Sequence, residues 1–232
     1  MKTDPFAIKQ YPKWHPIRLA FTAKARLIER EARENFHKYA LPEKNISTLP
    51  PTPNADWSNT AVTPSQMQHL LYALSMTEHL TDTVIVEVGC FRGITTQYLA
   101  RATSRKLIAV DPFIGYGGSE EDYQHFKNNI AGLSNVVHER KTSGEAARTW
   151  QYGPVSLIFI DALHDYANTA FDIEAWSALT IKGAVLAMHD TDRVEFAGTR
   201  KAVFEAYKRT GLDLLAHPDN LTLLCKLNND VS

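Results

Sequence analysis

Residues 84–93, Val-Ile-Val-Glu-Val-Gly-Cys-Phe-Arg-Gly, followed by Lys-Leu-Ile-Ala-Val-Asp at 106–111, constrain the fold of this 232-residue chain more than any other feature. A short apolar run that ends in a turn holding Gly89 and Gly93 describes a buried strand feeding a helix. Glycines belong in such a turn when a nucleoside ligand must come closer to the backbone than a Cβ allows. Asp111 then sits at the tip of the next strand, where a carboxylate accepts hydrogen bonds from ribose hydroxyls. The pair of segments reads as the nucleoside-binding half of an α/β enzyme.

Two nucleoside chemistries compete for this pattern. A nicotinamide-dinucleotide site asks for Gly-x-Gly-x-x-Gly, with the pyrophosphate on the helix N-terminus. Here Phe91 takes the middle glycine position and Ile94 the third, and a phenyl ring there obstructs a pyrophosphate. Glu87 lies inside the strand itself, where a carboxylate repels phosphate and favours a cationic ligand.

The second half of the chain supplies candidate chemistry. Ser-Leu-Ile-Phe-Ile-Asp-Ala-Leu-His-Asp-Tyr at 156–166 and Lys-Gly-Ala-Val-Leu-Ala-Met-His-Asp-Thr-Asp at 182–192 are apolar runs that end in polar clusters. Ligands of open α/β sheets bind beyond the carboxyl ends of the strands. Asp161, His164, His189, Asp190 and Asp192 are therefore expected to converge on one crevice.

Glu-x-Gly-x-x-x-Gly followed by Asp111 resembles the cofactor site of class I methyltransferases. With the later segments, about residues 60–227 resemble the small-molecule O-methyltransferases related to catechol O-methyltransferase and to the macrocin and mycinamicin sugar methyltransferases. The resemblance implies S-adenosylmethionine as cofactor, held by Glu87, Gly89, Cys90, Phe91, Gly93, Thr95, Asp111, Ser143 and Asp161. In that assignment Glu87 lies near the methionine end and Asp111 binds the ribose. Thr95 meets the methionine carboxylate through its helix N-terminus. Ser143 faces the adenine, although it equally suits an ordinary helix N-cap.

The resemblance also implies a divalent cation, magnesium or another, held by Asp161, His189 and Asp190. His189 departs from the family pattern, since imidazole is a poor ligand for a hard cation. That leaves manganese, zinc or no metal as open alternatives. His164 falls at the family's general-base position, and its pKa range suits the role. His164 and Asp161 are thus the expected catalytic residues. The expected activity is O-methylation of a small-molecule hydroxyl on a glycoside or polyketide-type metabolite. A nicotinamide-dependent oxidoreductase and a non-catalytic cofactor-binding module are the rivals.

Alternation of apolar runs and helical patterns predicts strands near 83–88, 106–111, 135–139, 155–161 and 183–189, with helices between them. After a helix near 197–210, Leu-Asp-Leu-Leu-Ala-His and Leu-Thr-Leu-Leu-Cys-Lys-Leu form a terminal hairpin. The expected fold is a Rossmann-like class I methyltransferase sheet. It has seven mostly parallel strands, the last antiparallel, and an N-terminal helical extension. Residues 61–232 make the cofactor-binding domain, whereas 1–60 hold the extension and a proline-rich linker that caps the acceptor pocket or forms a homodimer contact. Within the extension, 1–13 read as irregular and 16–40 as a helix with Ile17, Phe21, Ala25 and Ile28 inward and Glu29 on the solvated face. Tyr11, Trp14 and Trp57 would suit a lid. A net charge of -1 gives no electrostatic case for nucleic acid or an anionic membrane. Two cysteines, Cys90 and Cys225, read as reduced, and no apolar run reaches membrane-spanning length. A cytoplasmic enzyme with a small-molecule acceptor is the resulting expectation.

Overall fold

Side chains of a strand point alternately to opposite faces, and in this chain both faces are apolar. β1 (Val84–Val88) sends Ile85 into one core and Val84, Val86 and Val88 into the other. The same division holds for β2 (Leu107–Val110), where Leu107 and Ala109 oppose Ile108 and Val110. Strands buried on both faces require helices on both sides. The computed structural model, which describes residues 3–115, 118–209 and 211–228, shows this arrangement. Its seven strands run in the order β3-β2-β1-β4-β5-β7-β6, with β3 (Val136–Glu139), β4 (Val155–Ile160), β5 (Thr180–His189), β6 (Leu212–Ala216) and β7 (Leu221–Lys226). Strands β1 to β5 are parallel, and β7 runs antiparallel to both β5 and β6. The order reverses between β1 and β4, which opens a crevice at their carboxyl ends.

Helices α1 (Pro5–Lys9) and α2 (Pro16–Glu34) belong to the extension. On one face of the sheet, α3 (Pro64–Met76), α4 (Ile94–Arg101) and α5 (Glu120–Ile130) contribute Leu70, Leu99 and Phe126. On the other, α6 (Ser143–Arg148), α7 (Tyr166–Ser177) and α8 (Ala197–Tyr207) contribute Ala146, Trp176 and Val203. Thr63 caps α3 in a reciprocal box with Gln66, with Pro64 at the first helical position. No helix among the described residues is long and apolar enough to cross a membrane.

The extension departs from its expected form in two places. Residues 5–9 are helical rather than irregular, because Asp4 accepts from the Phe6 amide at 2.8 Å and Pro5 opens the first turn. In α2 the apolar register is looser than its spacing suggests: Ile17 is 49% exposed, while Glu29 is half-buried. Glu29 accepts the Tyr166 amide at 2.6 Å, at the start of α7, and the Gly198 amide at the start of α8. Two helix N-termini together offset part of the solvation that a surface carboxylate would keep. Burial still pushes the Glu29 pKa up, partly offset by the Tyr166 amide. A Cβ on Gly198 would lie 2.0 Å from Glu29 Oε1, so α8 starts with glycine where the carboxylate comes in. Asp4 pairs with Arg148 at 2.5 Å, and the His217 amide donates to the Lys44 carbonyl at 2.8 Å. The described part of the extension is therefore bonded into the sheet domain at several points.

Gly198→Ala is expected to cost about 1–3 kcal/mol, as overpacked sites do, and to speed proteolytic cleavage within 10–40. Unchanged melting temperature and cleavage would show that Glu29 does not hold the extension.

Candidate active site

The tip of β1 is shaped by neighbouring protein atoms. Gly89 has φ of 87°, and a Cβ there would stand 2.0 Å from the Asp161 carbonyl oxygen. Gly93 has φ of 77°, and its Cβ would meet the Phe126 ring at 2.8 Å. The glycine requirement expected from ligand approach thus has a nearer cause in the β4 tip and α5. Gly93 begins α4 without a side-chain cap, so the first-turn amides beside Thr95 keep their capacity to bind an anion.

Asp111 ties the β1 turn to the β2 tip. Its Oδ2 accepts from the Cys90 amide at 2.9 Å and the Phe91 amide at 3.2 Å, and its Oδ1 from the Phe113 amide at 2.9 Å. A carboxylate has roughly four acceptor positions, so about one remains for a ribose hydroxyl while these bonds persist. Phe91, Phe113 and Asp190 have φ of 45°, 49° and 58°, a left-handed backbone that non-glycine residues rarely adopt. All three follow strand tips on the same edge, and such strain concentrates where a site over-determines its geometry.

Glu87 is 1% exposed, with the Thr96 hydroxyl donating to its Oε2. Burial pushes its pKa to about 8 against that hydrogen bond, with Asp161 and Asp111 adding repulsion. A carboxyl in that position gains most from a cation that arrives with a ligand. The Cys90 thiol, also buried, is pushed well above its ordinary range by burial and by Glu87.

Ligand-type atoms of Asp161, His164 and Asp190 lie within 4.8 Å of one another. His164 Nε2 is 3.2 Å from Asp190 Oδ2 and 3.6 Å from Asp161 Oδ1. His189 reaches the same carboxylates through Nδ1, 3.1 Å from Asp161 Oδ1 and 3.6 Å from Asp190 Oδ2, without hydrogen-bond alignment. Its tautomer follows from Gln66. The Gln66 Oε1 accepts from the Thr63 amide while its Nε2 donates to the Asp219 carbonyl, so His189 Nε2, 3.1 Å from Oε1, carries a proton. His189 Nδ1 is then a buried atom aimed between two acids, either protonated by them or free to bind a cation. Against the cost of burial, Asp161 and Asp190 raise the His189 pKa to about 10. Asp190 is held below its ordinary range: burial opposes this, but His189, His164 and the Asn220 amide outweigh it. The expected metal set of Asp161, His189 and Asp190 is thus brought together, and His164 joins it.

Two cavities meet at this cluster. One, about 290 Å³, follows the β1 turn from Glu87 past Asp111 to Ser143 and includes Asp161 and His164. The other, on the far side of Asp190, is lined by polar residues including His69, Asp192, Arg200 and His217, along with His189. Glu87, Gly89, Cys90, Phe91, Gly93, Thr95, Asp111, Ser143 and Asp161 all line the first cavity. The Ser143 hydroxyl is already engaged, donating to Asp172 at 2.5 Å and accepting from Trp176 Nε1 at 2.9 Å. Thr142 caps α6 instead of Ser143. Phe6, Asn59, Thr60 and Ala61 line the first cavity, and none of them stood out by spacing. Tyr11 and Trp14 are 39% and 74% exposed and Trp57 packs on the core, and none of the three lines either cavity. Asp172, also missed, had a signal: it is an acid flanked by Phe171 and Ile173 on an apolar helix.

Glu87 carries a testable cost. Its folded pKa of about 8 exceeds the ordinary 4.5, so the folded state holds a proton that the unfolded chain releases. Stability from this group is therefore highest below the unfolded pKa and falls as pH rises toward the folded one, by about 1.4 kcal/mol per pH unit. In chelator-treated protein, Glu87→Gln is expected to raise the melting temperature at pH 8.5, with the gain shrinking at pH 5. A loss of stability at pH 8.5 would contradict the assignment.

Residues 86–191 match a family model described as a methyltransferase domain. No curated protein sequence matches the chain significantly. Among solved structures, the cofactor-bound Rv0187 from MTB is 18% identical, with 99% of this chain and 100% of that one covered, at a TM-score of 0.58. The O-methyltransferase TomG from Streptomyces achromogenes, in complex with SAM, is 16% identical over 87% of this chain and 90% of that one, at a TM-score of 0.59. The O-methyltransferase from Bacillus cereus in complex with SAH is 17% identical over 86% and 90%, at a TM-score of 0.57. The resemblance drawn from Glu87 to Gly93 and Asp111 agrees with these findings. The chain has the Rossmann-like fold of these methyltransferase structures, a seven-stranded sheet with an antiparallel β7.

Proposed function

We propose that the protein is an S-adenosylmethionine-dependent O-methyltransferase acting on a small, polar acceptor such as a glycoside or polyketide-type metabolite. The observation that carries this reading is the division of the acid–histidine cluster between two cavities, with Asp161 and His164 on one side and His189 and Asp190 on the other. The cofactor lies in the first cavity, with its methionine end at Glu87 and Thr95, its ribose at Asp111 and its adenine beyond. The acceptor enters the second, whose histidines, acids and Arg200 suit hydroxyl-rich molecules. TomG, described as involved in tomaymycin synthesis, adds support for a small metabolite.

Methyl transfer from a sulfonium is an in-line displacement in which the protein positions an acceptor oxygen about 3 Å from the methyl carbon and removes its proton. The His164 imidazole takes that proton, and Asp190, 3.2 Å from its Nε2, stabilises the resulting imidazolium. Phe196, 4.9 Å from the His164 ring, limits the ring's rotation. The unpartnered Nδ1 of His189 fits a divalent cation shared with Asp161 and Asp190. One imidazole with two carboxylates suits manganese or zinc better than magnesium. Bound there, the cation would lower the pKa of the acceptor hydroxyl.

Titration calorimetry is expected to show S-adenosylhomocysteine binding that Asp111→Ala abolishes, because that change also releases the Cys90 and Phe91 amides. Binding of NADH without response to the homocysteine compound would overturn the reading. His164→Ala is expected to slow turnover about a hundred- to ten-thousand-fold, with cofactor affinity and metal content unchanged. Loss of metal in that variant would make His164 a ligand instead of the base.

A further inference from the structure

Asp172 is 3% exposed, sits in the middle of α7 and lines the far end of the first cavity, beside Ser143, Gly144 and Phe6. Its Oδ1 accepts from the Ser143 hydroxyl at 2.5 Å, and Trp176 Nε1 donates to the same hydroxyl at 2.9 Å. That chain fixes the carboxyl plane. No donor among the described residues reaches Oδ2. Oδ2 is not sealed either: among the described residues, the one occluded side-chain polar atom without a partner is His189 Nδ1. Oδ2 therefore opens into the cavity that Asp172 lines.

A carboxyl buried in an apolar helix face is costly unless something answers it. Burial pushes the Asp172 pKa to about 7, eased by the Ser143 bond and raised again by Asp4 and Asp165. A purely structural link between α6 and α7 needs only an uncharged partner for Ser143. The retained acid points to a donor that arrives with the ligand. Asp111 marks the ribose position in this cavity, and Ser143 and Gly144 lie beyond it, so the nucleobase occupies the Asp172 end.

We propose that Asp172 Oδ2 accepts a hydrogen bond from the exocyclic 6-amino group of the cofactor's adenine and so selects a 6-amino over a 6-oxo purine. This rests on the reading of the cavity as the cofactor site. A 6-oxo group would set an acceptor against Oδ2 and leave both unpaired, the arrangement that gives polar sites their discrimination.

The test compares S-adenosylhomocysteine with S-inosylhomocysteine by calorimetry at pH 8.5, above the raised pKa, alongside thermal melts. Wild type is expected to favour the adenosyl compound by about tenfold or more, as one charged hydrogen bond allows. In Asp172→Asn the amide oxygen keeps the Ser143 bond and the NH₂ replaces Oδ2, so the preference is expected to vanish or invert. Asp172→Ser, smaller and without charge, is expected to lose the preference too, and serves if the asparagine variant does not fold. An unchanged preference in either folded variant, whatever the melting temperature, would reduce Asp172 to a structural link and overturn the proposal. Wild type that binds neither compound would instead remove the cofactor reading, and this inference with it. Wild type that binds both equally would overturn the inference alone.

Discussion

The close approach of Gly89 to the Asp161 carbonyl is the constraint on which the site depends. Any L side chain at 89 would place a Cβ 2.0 Å from that oxygen and force the tips of β1 and β4 apart. With glycine there, the Asp161 amide donates to Val88 at 2.8 Å and the Gly89 amide to Val110 at 2.9 Å, so three adjacent strands end in register. The β1 turn and the acid–histidine cluster then share one wall. Asp111 completes the arrangement by holding the backbone amides of the turn that follows Gly89.

Around this frame the buried acids divide by partner. Asp111 and Asp190 are met by donors, three backbone amides in one case and two imidazoles with an amide in the other. Glu87 and Asp172 each meet a single hydroxyl, from Thr96 and Ser143, and burial lifts them to about 8 and about 7. Both under-satisfied acids lie along the first cavity, at its two ends. A free energy cost borne at two ends of one cavity is what a site built for a ligand with a cationic head and a donor-bearing base would show.

Much of the fold was legible in local pattern. Fully apolar strands and a strand-turn-helix with an acid on the next strand require a doubly covered sheet, and the terminal hairpin marked the antiparallel close. The helix expected near 197–210 overran the observed Ala197–Tyr207 by a few residues, because chain ends fray where no cap is written in the sequence. Asp4 before Pro5 was such a cap, and its neglect made residues 5–9 look irregular. The site was legible where strand tips carry acids and histidines. It was not legible where long-range packing decides: Glu29 looked solvated until two helix N-termini reached it, and Phe6 enters the cavity from a distant helix. Gln66 shows the same limit, since nothing local marks its hold on His189, 123 residues away.

The central claim is that one cofactor lies along the carboxyl ends of β1, β2 and β4. Hydrogen exchange with and without S-adenosylhomocysteine tests it directly. The expected result is added protection at 89–95, 111–113, 142–144 and 161–164, with the β6–β7 hairpin unchanged. Protection confined to other segments, or none at saturating ligand, would contradict it.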